Sequence, residues 1–328
     1  NTFTLITIGD FIDVYLKLKQ KGFSFLMRKL FNFSRKNRVA SKWDSFQTES
    51  DFWVIPEVKA DWNFKISGDS NVTYEEYVSK KYLNKNVEVK LLSIGCGEGL
   101  HERNFIKHFS FSKVVGIDIS SESIANAITL AEKEQLKIDY ISGDFTKMNF
   151  ENQKFDVVLF DSSLHHFNDI TSFLKNNIEP LLSNDGIVVV FEYCGPNRLQ
   201  WRASQLKKVS QILSNLPESY RILPNTNWIK RKAYRPGILR MFLVDPSEAP
   251  DAESLQKALH ENFDIVEETQ LKWTIIQPLF KNIAHHFVND KPETKKWIRF
   301  ILDEETKYVN ETNENDAIFG VYKKRNQL

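Results

Sequence analysis

Two short stretches of this chain gather side chains that can move protons and hold hydroxyl groups. The first is Asp161-Ser162-Ser163-Leu164-His165-His166-Phe167, in which two imidazoles follow a carboxylate. Imidazole titrates near neutral pH, so His165 or His166 can take the proton of an acceptor hydroxyl. The sequence does not separate the two, and either can instead cap the helix that begins near Asn168 or pack in the core. The second stretch is Phe191-Glu192-Tyr193-Cys194-Gly195-Pro196-Asn197-Arg198-Leu199-Gln200-Trp201. Here Glu192, Asn197 and Gln200 can hydrogen-bond hydroxyls, while Tyr193 and Trp201 can stack on a ring face. The plainer alternative is a Gly195-Pro196 turn with Trp201 as a buried anchor. Residues 217–250 add Tyr234 and Arg235 among several other aromatic and basic side chains. These suit an acceptor bearing phosphate or carboxylate, and equally a solvated face.

A third constellation can seat a nucleotide-like cofactor. Leu91-Leu92-Ser93-Ile94-Gly95-Cys96-Gly97-Glu98-Gly99 reads as a buried strand running into a G-x-G-x-G turn and a helix. Glycines there let the backbone turn tightly and approach a ligand, and the helix N-terminus that follows favours negative groups. Asp118 follows Gly99 by 19 residues at the end of the next strand, with Ile119 beside it. An acid at that point can accept both ribose hydroxyls of an adenosine. Asp144 follows the third strand, where it can accept from an adenine amino group, and Phe145 offers a ring face. The dinucleotide fingerprint G-x-G-x-x-G fits less well, because Leu100 stands where its third glycine belongs.

These residues need a scaffold that brings strand ends together. Apolar runs over 89–94, 113–117, 138–142, 155–160 and 186–191 read as strands. Helical patterns over 100–108, 122–134 and 170–182 separate them, and 72–83 reads as a helix leading in. Strands apolar along their whole length imply a parallel sheet covered on both faces, with the ligand crevice at the carboxyl ends. Further on, 197–216 and 252–262 read as helices, 263–276 as a strand, 280–308 as helical and 317–322 as a last strand. The expected organisation is a basic N-terminal arm over 1–50 and one α/β domain over 51–328, with insertions about 197–250 and 280–315.

Over roughly residues 51–328 the chain resembles class I methyltransferases. The resemblance is carried by Leu91–Gly99, Gly116–Asp118, Gly143–Phe145, the strand leading to Asp161, and Leu181-Leu182-Ser183-Asn184-Asp185-Gly186. It implies a doubly wound, Rossmann-like, seven-stranded sheet whose last strand is antiparallel, with helical insertions after strand five and between strands six and seven. It also implies S-adenosylmethionine as cofactor, held by Ser93, Gly95, Cys96, Gly97, Gly99, Asp118, Ile119, Asp144, Phe145 and Asp161. One departure stands out: the family usually has an acid two positions before the first glycine, and this chain has Ser93. The segment Glu192–Trp201 resembles a subgroup associated with sugar and surface-glycan modification, whose version reads EYxGPxRxQW.

The expected activity is therefore O-methylation of a sugar or glycan hydroxyl, with His165 or His166 as base and Glu192, Tyr193, Asn197, Gln200, Trp201, Tyr234 and Arg235 around the acceptor. Methylation of another small molecule, an amine or phenol, is the enzymatic alternative. A cofactor-binding scaffold without turnover is the non-enzymatic one. No carboxylate cluster in the sequence supports a metal. Net charge is +1, which favours no nucleic-acid partner, and the basic run lacks a recognised nucleic-acid module. Cys96 and Cys194 are the only cysteines, so a reducing cytoplasm is expected. Between Asp13 and Asp44 no acid occurs, while phenylalanines alternate with Lys and Arg. Such an arm can lie on the inner, anionic face of a membrane, or pack its rings on the main domain.

Overall fold

The computed structural model describes residues 4–21, 51–84, 87–150 and 153–325. Seven strands form one sheet: β1 Lys90–Ile94, β2 Lys113–Asp118, β3 Asp139–Ser142, β4 Phe155–Asp161, β5 Leu182–Tyr193, β6 Phe263–Gln270 and β7 Ala317–Lys324. Their order is β3-β2-β1-β4-β5-β7-β6. The first five are parallel, and β7 runs antiparallel to both β5 and β6. The direction of winding reverses beside β1, which opens a crevice at the carboxyl ends of β1 and β4.

The helices are α1 Ile8–Lys21, α2 Pro56–Ser67, α3 Tyr74–Tyr82, α4 Leu100–His108, α5 Ser121–Lys133, α6 Ile170–Phe173, α7 Ala203–Asn215, α8 Ile238–Val244, α9 Leu255–Asn262, α10 Ile276–Phe280 and α11 Pro292–Thr312. Side chains of a strand alternate between faces, and the core divides accordingly. Leu91, Val157, Leu159, Val189 and Phe319 face one apolar layer with Trp62, Val78, Phe105 and Ile298. Leu92, Val158, Phe160, Val188 and Ile318 face the other, with Ile170, Leu174 and Leu259. Both layers are buried, which is why the central residues of these strands are mostly apolar on both faces.

The structure differs from the sequence expectation in three places. The strand expected over 263–276 ends at Gln270, because Lys272 and Trp273 take left-handed φ angles of 74° and 58°. That turn carries Trp273 into a cluster with Phe52, Trp53 and Trp62. The helix expected over 197–216 is split, because Arg198 and Leu199 are left-handed too, at 57° and 52°. The helical pattern over 280–308 resolves into a short 3-10 turn Ala284–Phe287 and the long α11, whose first residue is Pro292; proline favours the opening turn of a helix.

The described part of the N-terminal arm, α1, is fastened to residues 235–282. Asp10 accepts from the Gly237 amide and from Arg240, and Asp13 pairs with Arg240 at 3.0 Å and Lys281 at 2.7 Å. Burial alone would raise the Asp13 pKa, but Lys281 and Arg240 outweigh it and hold the carboxylate well below its usual range. The rest of the arm lies outside the described residues.

Candidate active site and cofactor crevice

The glycine loop leaves β1 with left-handed φ angles at Gly95 (76°), Gly97 (53°) and Gly99 (72°). A Cβ on Gly95 would overlap Ser163, and one on Gly99 would overlap Tyr140. A Cβ on Gly97 would meet nothing within 4 Å, so the loop stands clear of protein at its centre. Asp118 closes β2 with one oxygen accepting from the Gly97 amide at 2.9 Å and the other from Ser120 at 2.8 Å. Ile119 beside it is half-buried. Asp144 is braced by Thr146 Oγ1 at 2.7 Å and Lys147 at 3.4 Å. The Phe145 ring is buried against Phe150 and Phe173 rather than offered broadly to a ligand. Cys96 is buried as well, and burial pushes its thiol pKa up, so it packs and does not react.

Asp161, at the end of β4, belongs to a network that sequence spacing did not reveal. Tyr74 Oη donates to Asp161 Oδ2 at 2.7 Å; His101 Nε2 lies 3.2 Å from the same oxygen, and His101 Nδ1 lies 2.9 Å from Glu75. Burial works against charging His101, but Asp161 and Glu75 outweigh it and lift its pKa to about 9. His101 is therefore an imidazolium at neutral pH. The stability it contributes is complete below about pH 6.5, its unfolded value, and is lost as pH rises through about 9. Thermal melts of the wild type and His101→Gln should accordingly converge between these limits; a constant separation would refute the assignment.

The acceptor side is built at the ends of β4 and β5. Glu192 is fully buried and accepts from the amides of Ser163 and Leu164 and, at 2.7 Å, from His165 Nδ1. A carboxylate only accepts, so Nδ1 of His165 donates to Glu192, while Nε2 lies 3.8 Å from Glu248 Oε1. His166 instead directs Nδ1 to the Ser247 carbonyl at 3.0 Å. The two histidines, inseparable in sequence, are thus distinguished by their partners. Among the described residues, His166, Asp245 and Glu248 bring ligand-capable atoms within 4.8 Å of one another. The expectation that no carboxylate cluster exists is corrected, since the chain folds 245–248 back over the histidines.

The remaining acceptor residues hold the structure together. Tyr193 is buried and donates to the Pro196 carbonyl; Asn197 accepts from the Glu253 amide; Gln200 donates to the Pro236 carbonyl. Arg235 donates to the Trp201 carbonyl, and Trp201 Nε1 donates to Gln277. Glu192 likewise spends its oxygens on the chain itself. A cavity of about 370 Å³ lies between α1 and the insertion, walled by Trp201, Trp228 and Tyr234 and by Asp13, Arg231, Lys232 and Lys281; neither the glycine loop nor the His165–Glu192 pair lines it. The basic aromatic insertion thus lines a cavity rather than forming only a solvated face.

A family model described as a methyltransferase domain matches residues 85–236. The ubiquinone biosynthesis O-methyltransferase of Pelagibacter ubique is 39% identical over 102 residues, covering 31% of this chain and 41% of that protein. The sterol 24-C-methyltransferase of Candida albicans is 26% identical over 152 residues, covering 45% of this chain and 40% of that protein. The chain therefore spans about two fifths of the length of these curated relatives. Among solved structures, phosphoethanolamine N-methyltransferase 2 of Haemonchus contortus with S-adenosylmethionine has a TM-score of 0.50 at 17% identity, over 90% of this chain and 61% of that one. That likeness concerns the fold. The glycine loop, open at Gly97 and flanked by the acids that end β2 and β3, fits an adenosyl ligand. Residues 85–236 thus match a methyltransferase domain, the sheet has the class I methyltransferase order, and the loop fits S-adenosylmethionine as cofactor.

Proposed function

We propose that this chain methylates a hydroxyl oxygen and that His165 is the general base. The observation carrying this reading is the buried His165–Glu192 pair at the ends of β4 and β5. S-adenosylmethionine supplies an electrophilic methyl group on a sulfonium. His165 Nε2 takes the acceptor's proton, and Glu192 holds the ring in the required tautomer and stabilises the imidazolium.

The acceptor we favour is a sugar or glycan hydroxyl carrying negative charge. Support comes from the cavity between α1 and the insertion, whose aromatic walls suit a ring and whose Arg231 and Lys232 suit phosphate or carboxylate. A second reading, a phenolic or lipid-like acceptor at a membrane, is favoured by a different observation. Ile8 and Phe11 of α1 are 62% and 70% exposed, with Leu239, Phe242 and Leu243 exposed on the adjoining α8. Two relatives are named for ubiquinone biosynthesis and sterol methylation, which agrees with it. Among the described residues no helix is long and apolar enough to cross a membrane, so the contact proposed is peripheral, on the cytoplasmic face.

A labelled-methyl transfer screen separates these readings. Phosphorylated sugars and glycans, phenols and amines are each offered with and without vesicles containing anionic lipid. Transfer to sugar hydroxyls independent of vesicles supports the first reading; vesicle-dependent transfer to phenols supports the second. Transfer to amines alone would overturn both.

A further inference from the structure

We propose that Glu102 receives the ammonium group of the cofactor's amino-acid end, in place of the acid that this chain lacks at position 93. The inference rests on the S-adenosylmethionine assignment above. Glu102 lies in the first turn of α4, three residues past Gly99, and is fully buried. Neither of its carboxylate oxygens makes a hydrogen bond of good geometry among the described residues, although the Ser93 hydroxyl stands close enough to favour its charge as a donor. A buried carboxyl so poorly partnered is costly, and proteins retain few of them. Its burial raises its pKa, and the Ser93 hydroxyl is the first influence that favours its charged form. Ser93, itself 3% exposed, therefore stands beside a carboxyl that a helix brings to the strand end from which an acid is missing.

The charges around Glu102 point the same way. Glu75, Asp161 and Glu102 share a single imidazolium, His101, and Tyr74 stays neutral because burial and Asp161 raise its pKa far above the usual value. The neighbouring Arg103 is turned away, to Glu134 at 3.0 Å and the Glu98 carbonyl at 2.6 Å. His101 is engaged by Glu75 and Asp161, so Glu102 has no cation in contact with it among the described residues, and the cofactor's ammonium is a group of the missing charge. An ion pair made in so dry a place carries more weight than one in water.

Two ligands test the inference on the full chain: S-adenosylhomocysteine, which has the amino-acid end, and methylthioadenosine, which keeps the adenosyl thioether without it. In calorimetric titrations, Glu102→Gln is expected to weaken S-adenosylhomocysteine by about tenfold or more and to leave methylthioadenosine unchanged. Equal weakening of both ligands, or of neither, would overturn it, since a residue that merely shapes the loop cannot distinguish them. If Glu102→Gln does not fold, Glu102→Met, which removes the charge and keeps the length, is read in its place. A preference for S-adenosylhomocysteine over methylthioadenosine lowered about tenfold then supports the inference, and a wild-type preference overturns it. A wild-type chain that binds neither ligand would remove the cofactor assignment and this inference with it; any other failure removes the inference alone.

Discussion

Replacing His165 by alanine should lower the kcat for methyl transfer by roughly 10²–10⁴-fold while leaving S-adenosylhomocysteine affinity little changed. The proton of an acceptor hydroxyl must go somewhere as the new bond forms, and His165 Nε2 is the ring nitrogen that Glu192 does not engage. Glu192→Gln should be nearly as damaging despite its similar size. One amide group can still accept from the Ser163 and Leu164 amides, but the NH₂ then faces Nδ1, where a carboxylate oxygen stood. The imidazole would answer by moving its proton to Nε2, the wrong tautomer, and a loss on the order of 10²–10⁴-fold follows. His166→Ala should cost far less, because His166 is held by Ser247 and not by Glu192. Rate–pH profiles for the three variants make the comparison. Full transfer by His165→Ala at neutral pH, or equal losses for both histidines, would end the base assignment.

Gly95→Ala should destabilise the fold by about 2–4 kcal/mol and abolish the thermal shift given by S-adenosylhomocysteine. Two effects combine at this residue. Its φ of 76° belongs to the left-handed region, and its missing Cβ leaves the space into which Ser163 packs. Ser163 is not a neighbour that can give way, since its hydroxyl donates to the Ile94 carbonyl at 2.6 Å and its amide is held by Glu192. Pushing it aside would disturb both the cofactor loop and the turn that carries His165. Gly97→Ala provides the control: the φ is again left-handed, at 53°, but a Cβ there meets nothing within 4 Å. It should cost only about 1 kcal/mol. Denaturant unfolding of the two variants decides the matter, and equal costs would show that contact with Ser163 is irrelevant.

Most of the sheet was legible in the sequence because each central strand is buried on both faces. A strand such as Val157-Val158-Leu159-Phe160 has one solution, and its end points at Asp161. The glycine loop and the acids at 118 and 144 were legible for the same reason, since strand ends set their position. What lay hidden depended on contacts between distant segments. Tyr74 and Glu75 come from a helix ahead of the sheet, and only the packing of α3 on α4 brings them to His101. Asp245 and Glu248 reach the histidines through an irregular insertion that has no periodicity to read. The segment Glu192–Trp201 shows the opposite failing. Its polar side chains looked like a binding surface, yet Tyr193, Asn197 and Gln200 are consumed in fixing a loop that contains two left-handed residues. A loop with strained backbone needs such internal bonds, and composition alone does not distinguish them from bonds meant for a ligand.

The fastening of α1 to residues 235–282 bears on how the molecule comes apart. Its ion pairs and amide bonds join segments more than two hundred residues apart, and they lie outside the sheet. Contacts of that kind close late in folding, after the strands have paired, and they open first, as a cooperative unit smaller than the whole. The same unit includes α8 and leads directly into the turn 245–248 that lies over the two histidines. Amides of α1 and α8 should therefore exchange hydrogen together and well before those of β4 and β5. Entry of an acceptor and partial unfolding would then be the same event, and because Asp10 and Asp13 are buried, added salt would do little to loosen this face, whereas Asp13→Asn would trade its rigidity for access.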